Sequence, residues 1–275
     1  MSLQHIEILR RSIGITFCLL IILSCSQMEN ADKGVSREEV KNQVLVLGTI
    51  HSGHLKDSVY NISYLDKLIR EIDPDFILAE IPPDRMQEAM EGFLRDDSIS
   101  EPRVMRFPEY VDVVFPLLKE MDFEIIPTAG WTQPMAQERS QKLRAISENP
   151  DRLDDWKAYR EANRQSDSVY EASGKRNDPY FIHTHSYDSI QDIALQVYNR
   201  LFNVELGLGG WDNINIAHYW NIHKALEKHK YAGKRFLIIY GAGHKGWFLR
   251  ELKQRDDIQL LEMRPFLDAI SEMSP

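Results

Sequence analysis

Cysteine is almost missing from this chain: there are two among 275 residues, Cys18 and Cys25, both near the beginning. Everything after residue 25 therefore lacks a thiol. That excludes cysteine nucleophiles, disulfides and cysteine-ligated zinc or iron–sulfur centres from the bulk of the protein, so any metal there must rest on His, Asp or Glu. Basic runs are missing too. The chain carries 33 basic against 42 acidic side chains, a net charge of −9, which argues against nucleic acid as a partner. No apolar run reaches the ~20 residues of a comfortable membrane span, and no segment repeats at a fixed period.

The first residues differ from the rest. Arg10 and Arg11 precede "SIGITFCLLIILS", the charged-then-apolar layout of a secretory signal. The stretch closes on "ILSC", which resembles a bacterial lipobox, where the cysteine is lipidated on sulfur and becomes the new N-terminus. The expected organisation is a signal peptide over residues 1–24, a lipidated Cys25, a polar tether over 25–43 and a folded domain over 44–275. Such a protein is lipid-anchored in the cell envelope, facing the periplasm or the cell surface.

Apolar runs of strand length occur at 44–47, 76–78, 123–126, 236–240 and 258–261. They are continuous rather than alternating, which suits strands covered on both faces of a largely parallel sheet. Between the first two, Val59, Ile62, Leu65, Leu68, Ile69 and Ile72 recur at helical spacing, and Asp73-Pro74 stops the helix. Two further helices, "DRMQEAMEGFLRDD" and "PEYVDVVFPLLKEM", precede the third strand, with a kink or break expected at Pro116. Residues 132–231 read as helical and polar without a strand. The expected fold is α/β: a largely parallel central sheet flanked by helices, with a helical cap inserted between the third and fourth strands.

Two strands end alike. "VLVLGTIHSGHL" places Gly48 and then His51 after the first, and "FLIIYGAGHKGWF" places Gly241 and then His244 after the fourth. Each glycine permits a tight turn or a close backbone approach. The second strand ends in "ILAEIPPD", which puts Glu80 at the same carboxyl edge, where open parallel sheets bind ligands. Two imidazoles and one carboxylate match the protein shell of a catalytic zinc site and also suit manganese, cobalt or iron(II). Without a metal the same trio can orient and deprotonate a water.

These residues resemble the TraB/Tiki superfamily, whose broad fold is shared with erythromycin esterases and haem-binding ChaN proteins. The matching pieces are Gly48 to His51, Glu80, and Gly241 to His244, over about residues 42–255. The segment "GGWDNINIAHYWNI" is similar to the family's late-helix Arg-Asn motif, with Asn215 at the asparagine and Ile214 where the arginine belongs. The resemblance implies a metal-dependent hydrolase of amide or ester bonds acting on a peptide or small molecule. His51, Glu80 and His244 would be metal ligands and catalytic groups, Asn215 would hydrogen-bond substrate or oxyanion, and the metal would be Mn, Co or Zn. Haem or iron binding of ChaN type without turnover, and a degenerate site lacking the arginine, are the other readings. Arg85, Arg200 or Lys245 can substitute for that arginine from elsewhere.

His54, three residues after His51, is a possible further ligand. His218 lies three places from Asn215 on the late helix and can face the site. His183 and His185 sit in the helical middle, and His223 and His229 read as helix-surface or helix-end residues. Trp131, Trp211, Tyr219, Trp220 and Trp247 either line a substrate pocket or pack between cap and sheet; "TAGW", ending at Trp131, leaves the third strand at the same edge.

Overall fold

The computed structural model describes residues 39–272. The signal stretch, Cys25 and most of the tether fall outside the described residues. Five strands, β1 (Asn42–Thr49), β2 (Phe76–Ala79), β3 (Glu124–Pro127), β4 (Arg235–Gly241) and β5 (Ile258–Leu260), form one parallel sheet in the order β3-β2-β4-β1-β5. The strand begins at Asn42, ahead of its apolar run, because the Asn42 amide is paired on both sides. It donates to the His229 carbonyl at 2.7 Å and accepts from the Lys234 N–H at 2.9 Å.

Both sheet faces are covered, and β1 shows why its sequence does not alternate in polarity. Leu45 and Leu47 enter one core with Leu65, Leu68 and Ile69 of α1 (Ile62–Ile72). Val44 and Val46 enter the opposite core with Phe236, Ile238 and Phe248. Successive side chains on a strand point to opposite faces, so a strand buried on both must be apolar throughout. Asn61 caps α1 by accepting the Tyr64 N–H at 3.0 Å, and Asp73 closes it in the left-handed region at φ 47°.

From β2 the chain enters α2 (Pro83–Asp96), then a short 3₁₀ turn at Val104–Arg106. The segment expected as a helix kinked or broken at Pro116 is a π-helical turn, Glu109–Val114, running into the short α3 (Phe115–Leu117). Proline lacks an N–H, so it is absorbed at the start of α3, where no partner is needed. Between β3 and β4 lie α4 (Gln133–Glu148), α5 (Leu153–Ser173), α6 (Pro179–Ile182), α7 (His185–Leu206) and α8 (Trp211–Lys228), and no strand. These helices carry an aromatic cluster of their own around Ile146, Tyr198, Phe202 and Leu206. After β4 come α9 (Ala242–Leu252) and α10 (Arg264–Glu272), which pack on opposite faces.

The strand order positions the site. From β1 the chain crosses past β4 towards β2, and from β4 it crosses past β1 towards β5. Connections leaving in opposite directions open a crevice at the carboxyl ends of the strands. The carboxyl ends of β2, β4 and β1 are therefore consecutive along one edge.

Candidate functional site

The two Gly-x-x-His turns occupy neighbouring strands, with Gly48 opposite Tyr240 and Thr49 opposite Gly241. Each glycine makes room for the other turn. A Cβ on Gly241 would meet Nε2 of His51 at 2.5 Å, and one on Gly48 would meet Ala242 at 3.1 Å and Ile182 at 3.2 Å. His51 lies across Gly241, so a side chain at that position would have to displace the His51 ring. His51 itself adopts φ 49°, a left-handed conformation costly for a residue with a Cβ.

Glu80 leaves β2 beside them. Its Oε2 accepts the Gly241 N–H at 2.9 Å, and its Oε1 stands 4.0 Å from Nε2 of His244. Its own N–H donates to the Tyr110 hydroxyl at 2.6 Å, which donates to the Ile239 carbonyl at 2.7 Å, tying β2 to β4. Burial pushes the Glu80 carboxyl above its ordinary range, although the neighbouring His51 pulls the other way.

The histidine tautomers follow from their partners. Asn215 Nδ2 donates to the Trp211 carbonyl at 2.7 Å, which leaves Oδ1 to accept Nδ1–H of His244 at 2.7 Å. The Nε2 lone pair of His244 therefore faces Glu80. Its ring stacks on Trp211 at 4.8 Å, and burial, with the charge of His51 adding to it, pulls its pKa down to about 3. His51 has the same orientation of donors with a stronger partner: Nδ1 lies 2.7 Å from Oε1 of Glu109, an oxygen that also accepts Thr49 Oγ1–H at 2.9 Å. Burial alone would lower the His51 pKa, but the hydrogen bond and charge of Glu109, with Glu80 behind it, raise it overall.

His218 behaves differently. The Gly130 N–H donates to its Nδ1 at 2.7 Å, so neutral His218 carries its proton on Nε2, and that atom is buried without a partner. Burial, and then the charges of His244 and Arg103, hold its pKa well below the ordinary value. It thus offers the site a neutral N–H donor.

The other expected residues have identifiable partners. His54 uses Nε2 to accept the Ile50 N–H at 3.0 Å and Nδ1 to bond the Tyr60 carbonyl at 2.7 Å, so neither nitrogen is open to a ligand. His183 likewise accepts the Gly48 N–H at 3.1 Å and bonds the Pro179 carbonyl at 2.7 Å, fixing α6 to the β1 turn. Asn215 is fully buried with both polar atoms committed, so it orients His244 and offers nothing to a substrate. Ile214 is buried beside it. Lys245 is held by both Asp188 oxygens at 2.6 and 2.8 Å, Arg200 is exposed, and Arg85 faces Glu101 at 3.8 Å. Trp211 walls a cleft of about 410 Å³ with His51 and His244. Trp131 lines a larger one, Tyr219 packs on Trp247, and Trp220 is exposed.

The donor chemistry of His51, Glu80 and His244 fits a divalent cation. Both imidazoles have Nδ1 tied to an acceptor and Nε2 free, the arrangement that supports histidine ligands to metals. Proximity gives a different set: the ligand-type atoms within 4.8 Å of one another belong to Glu80, His218 and His244. Of that set His218 presents a proton rather than a lone pair.

Two contributors escaped sequence reasoning. Glu109, 1% exposed, is carried by the π-helical turn; a glutamate sharing a face with Tyr110 and Val113 is the cue that could have revealed it. Arg103 is the other. Its charge acts on both Glu80 and His218, the place where an arginine was sought from Arg85, Arg200 or Lys245. Among the described residues no helix is long and apolar enough to cross a membrane. No protein-family model, curated protein or solved structure matches the chain.

Proposed function

We propose that the protein is a hydrolase of ester or amide bonds, with His51, Glu80 and His244 holding a divalent metal and the attacking water at the carboxyl edge of the sheet. One observation carries this reading: two histidines with locked Nδ1 atoms and open Nε2 lone pairs, and a buried carboxylate, follow three consecutive strands at one edge. A cation there supplies a water of lowered pKa and polarises the scissile carbonyl. The chain's own groups do the rest. Glu109 and Asn215 hold the two rings, so no reorganisation is needed during reaction. The buried Nε2–H of His218 donates to the carbonyl oxygen as negative charge develops, a role in which a dry, preplaced donor is worth far more than one in water. Trp211 and His51 wall the entrance.

The resemblance to TraB/Tiki proteins supports the same chemistry, and on this reading Cys25 tethers the enzyme to the cell envelope. The test is hydrolysis of a panel of nitrophenyl esters and fluorogenic peptides by the full-length protein, with Mn, Co or Zn supplied or chelated. Metal-dependent turnover is expected, with His51→Ala and His244→Ala each reducing kcat/KM by roughly 10³-fold. Turnover by both variants at the wild-type rate would sink the proposal, as would a haem Soret band dependent on His244 in a protein that hydrolyses nothing.

A further inference from the structure

Beside the site lies a second, larger cleft of about 990 Å³, lined by Arg85, Arg103, Arg106 and Arg139 with Glu101 as its one carboxylate. It shares walls with the site. Phe107 meets the ring of His51 at 5.0 Å, and Trp131 meets that of His218 at 6.3 Å. Four arginines around one hollow stand out in a chain of net charge −9.

Their commitments differ. Glu101 is spent: its Oε2 accepts the N–H groups of Arg103 and Val104 at 2.9 and 2.7 Å, and its Oε1 faces Arg85. Arg139 donates to the Tyr198 hydroxyl at 3.0 Å and lies over Trp131. Arg103 and Arg106 have no ion pair among the described residues; burial lowers the Arg103 pKa, the charges of Glu80 and Glu101 oppose that, and the charge of Arg106 adds to it. Nε of Arg103 is buried with no hydrogen-bond partner. A buried guanidinium N–H without an acceptor costs the full desolvation of that group, and an incoming oxyanion removes the cost through a charge-assisted, forked contact.

We propose that this cleft recognises an oxyanion on the substrate, with Arg103 and Arg106 as the binding residues, so that the enzyme selects anionic esters or amides over neutral ones. The inference deepens the hydrolase reading and rests on it for the word substrate, whereas the anion site itself stands on the cleft.

Calorimetric titration of the full-length protein with succinate and, separately, inorganic phosphate tests the site without turnover. Saturable binding of either anion near one per chain is expected, and which binds distinguishes a carboxylate from a phosphate source. Arg103→Gln should weaken it at least tenfold, Arg103→Lys less because the charge remains, Arg106→Gln about threefold, and the exposed Arg200→Gln not at all. A parallel assay compares nitrophenyl acetate with nitrophenyl hemisuccinate. Arg103→Gln should raise KM for the anionic ester about tenfold more than it raises KM for the neutral one. Saturable binding with no hydrolysis of either ester would refute the hydrolase reading and keep the anion site. Absence of binding by the wild type, or undiminished binding by folded Arg103→Gln and Arg103→Lys, would overturn the anion site.

Discussion

The two Gly-x-x-His turns are near-copies in sequence and opposites in electrostatic character. The β1 turn carries His51 on a 3₁₀ turn in a left-handed conformation, half-open to the 410 Å³ cleft and backed by the Glu109 carboxylate. The β4 turn carries His244 in the first turn of α9, with its side chain 13% exposed and backed by the neutral Asn215 amide. A carboxylate favours the imidazolium, whereas an amide leaves burial unopposed. The same motif therefore yields one histidine biased towards its charged form and one held neutral. The difference lies in what packs behind the ring, and the motif itself does not encode it.

Exchanging the backing groups is the sharpest way to break that contrast. Glu109→Gln should cost roughly 10–100-fold in activity or metal affinity, as removal of an orienting carboxylate does. It should also lower the His51 pKa, read from its imidazole C–H shift in an NMR titration. Asn215→Asp should do the reverse and raise the His244 pKa from about 3. If neither pKa moves, the backing groups are not what separates the two turns.

The glycines offer a second comparison of smaller size. Gly241→Ala drives a methyl group into Nε2 of His51 and should cost about 1–3 kcal/mol in denaturant unfolding, with loss of activity. Gly48→Ala meets atoms at 3.1 Å or more and should cost about 1 kcal/mol or less. Equal costs would mean that the reciprocal fit is not specific to His51.

A third difference is that His183 braces the β1 turn through the Gly48 N–H. Burial holds His183 at about 3, against about 6.5 in an unfolded chain. Above pH 6.5 neither state binds this proton. As pH falls below that value only the unfolded chain takes it up, so stability declines, by about 2 kcal/mol at pH 5 for this one group. His244 and His218 add slopes of the same sign, so His183→Gln should make the dependence between pH 7 and 5 shallower by its own share in chemical denaturation. An unaltered slope would contradict the assignment.

The strands were legible because a segment buried on both faces must be apolar at every position, as 44–47 and 236–240 are. Their order was not. Local sequence says nothing about β4 entering between β1 and β2, and that insertion makes Glu80 and His244 neighbours. His51, Glu80 and His244 stood out because each follows a strand. His218 was flagged by its spacing from Asn215, but its protonation depends on the Gly130 N–H, a contact across 88 residues. Glu109 was hidden by a wrong period: an α-helical reading of "PEYVDVV" cannot foresee a π turn, which places side chains differently around the axis. Nothing in the local sequence marks Arg103, because a cleft is a property of packing rather than of composition.

The position of β4 also sets when the protein becomes competent. Its residues, 235–241, leave the ribosome only after the whole helical insertion, yet they form the middle of the sheet. Until then β1 and β2 have nothing between them, and both present unpaired backbone edges to the surrounding solution. Assembly thus waits on a long-range closure of the slow-folding kind, and a chain released before residue 241 lacks the strand that joins its two halves.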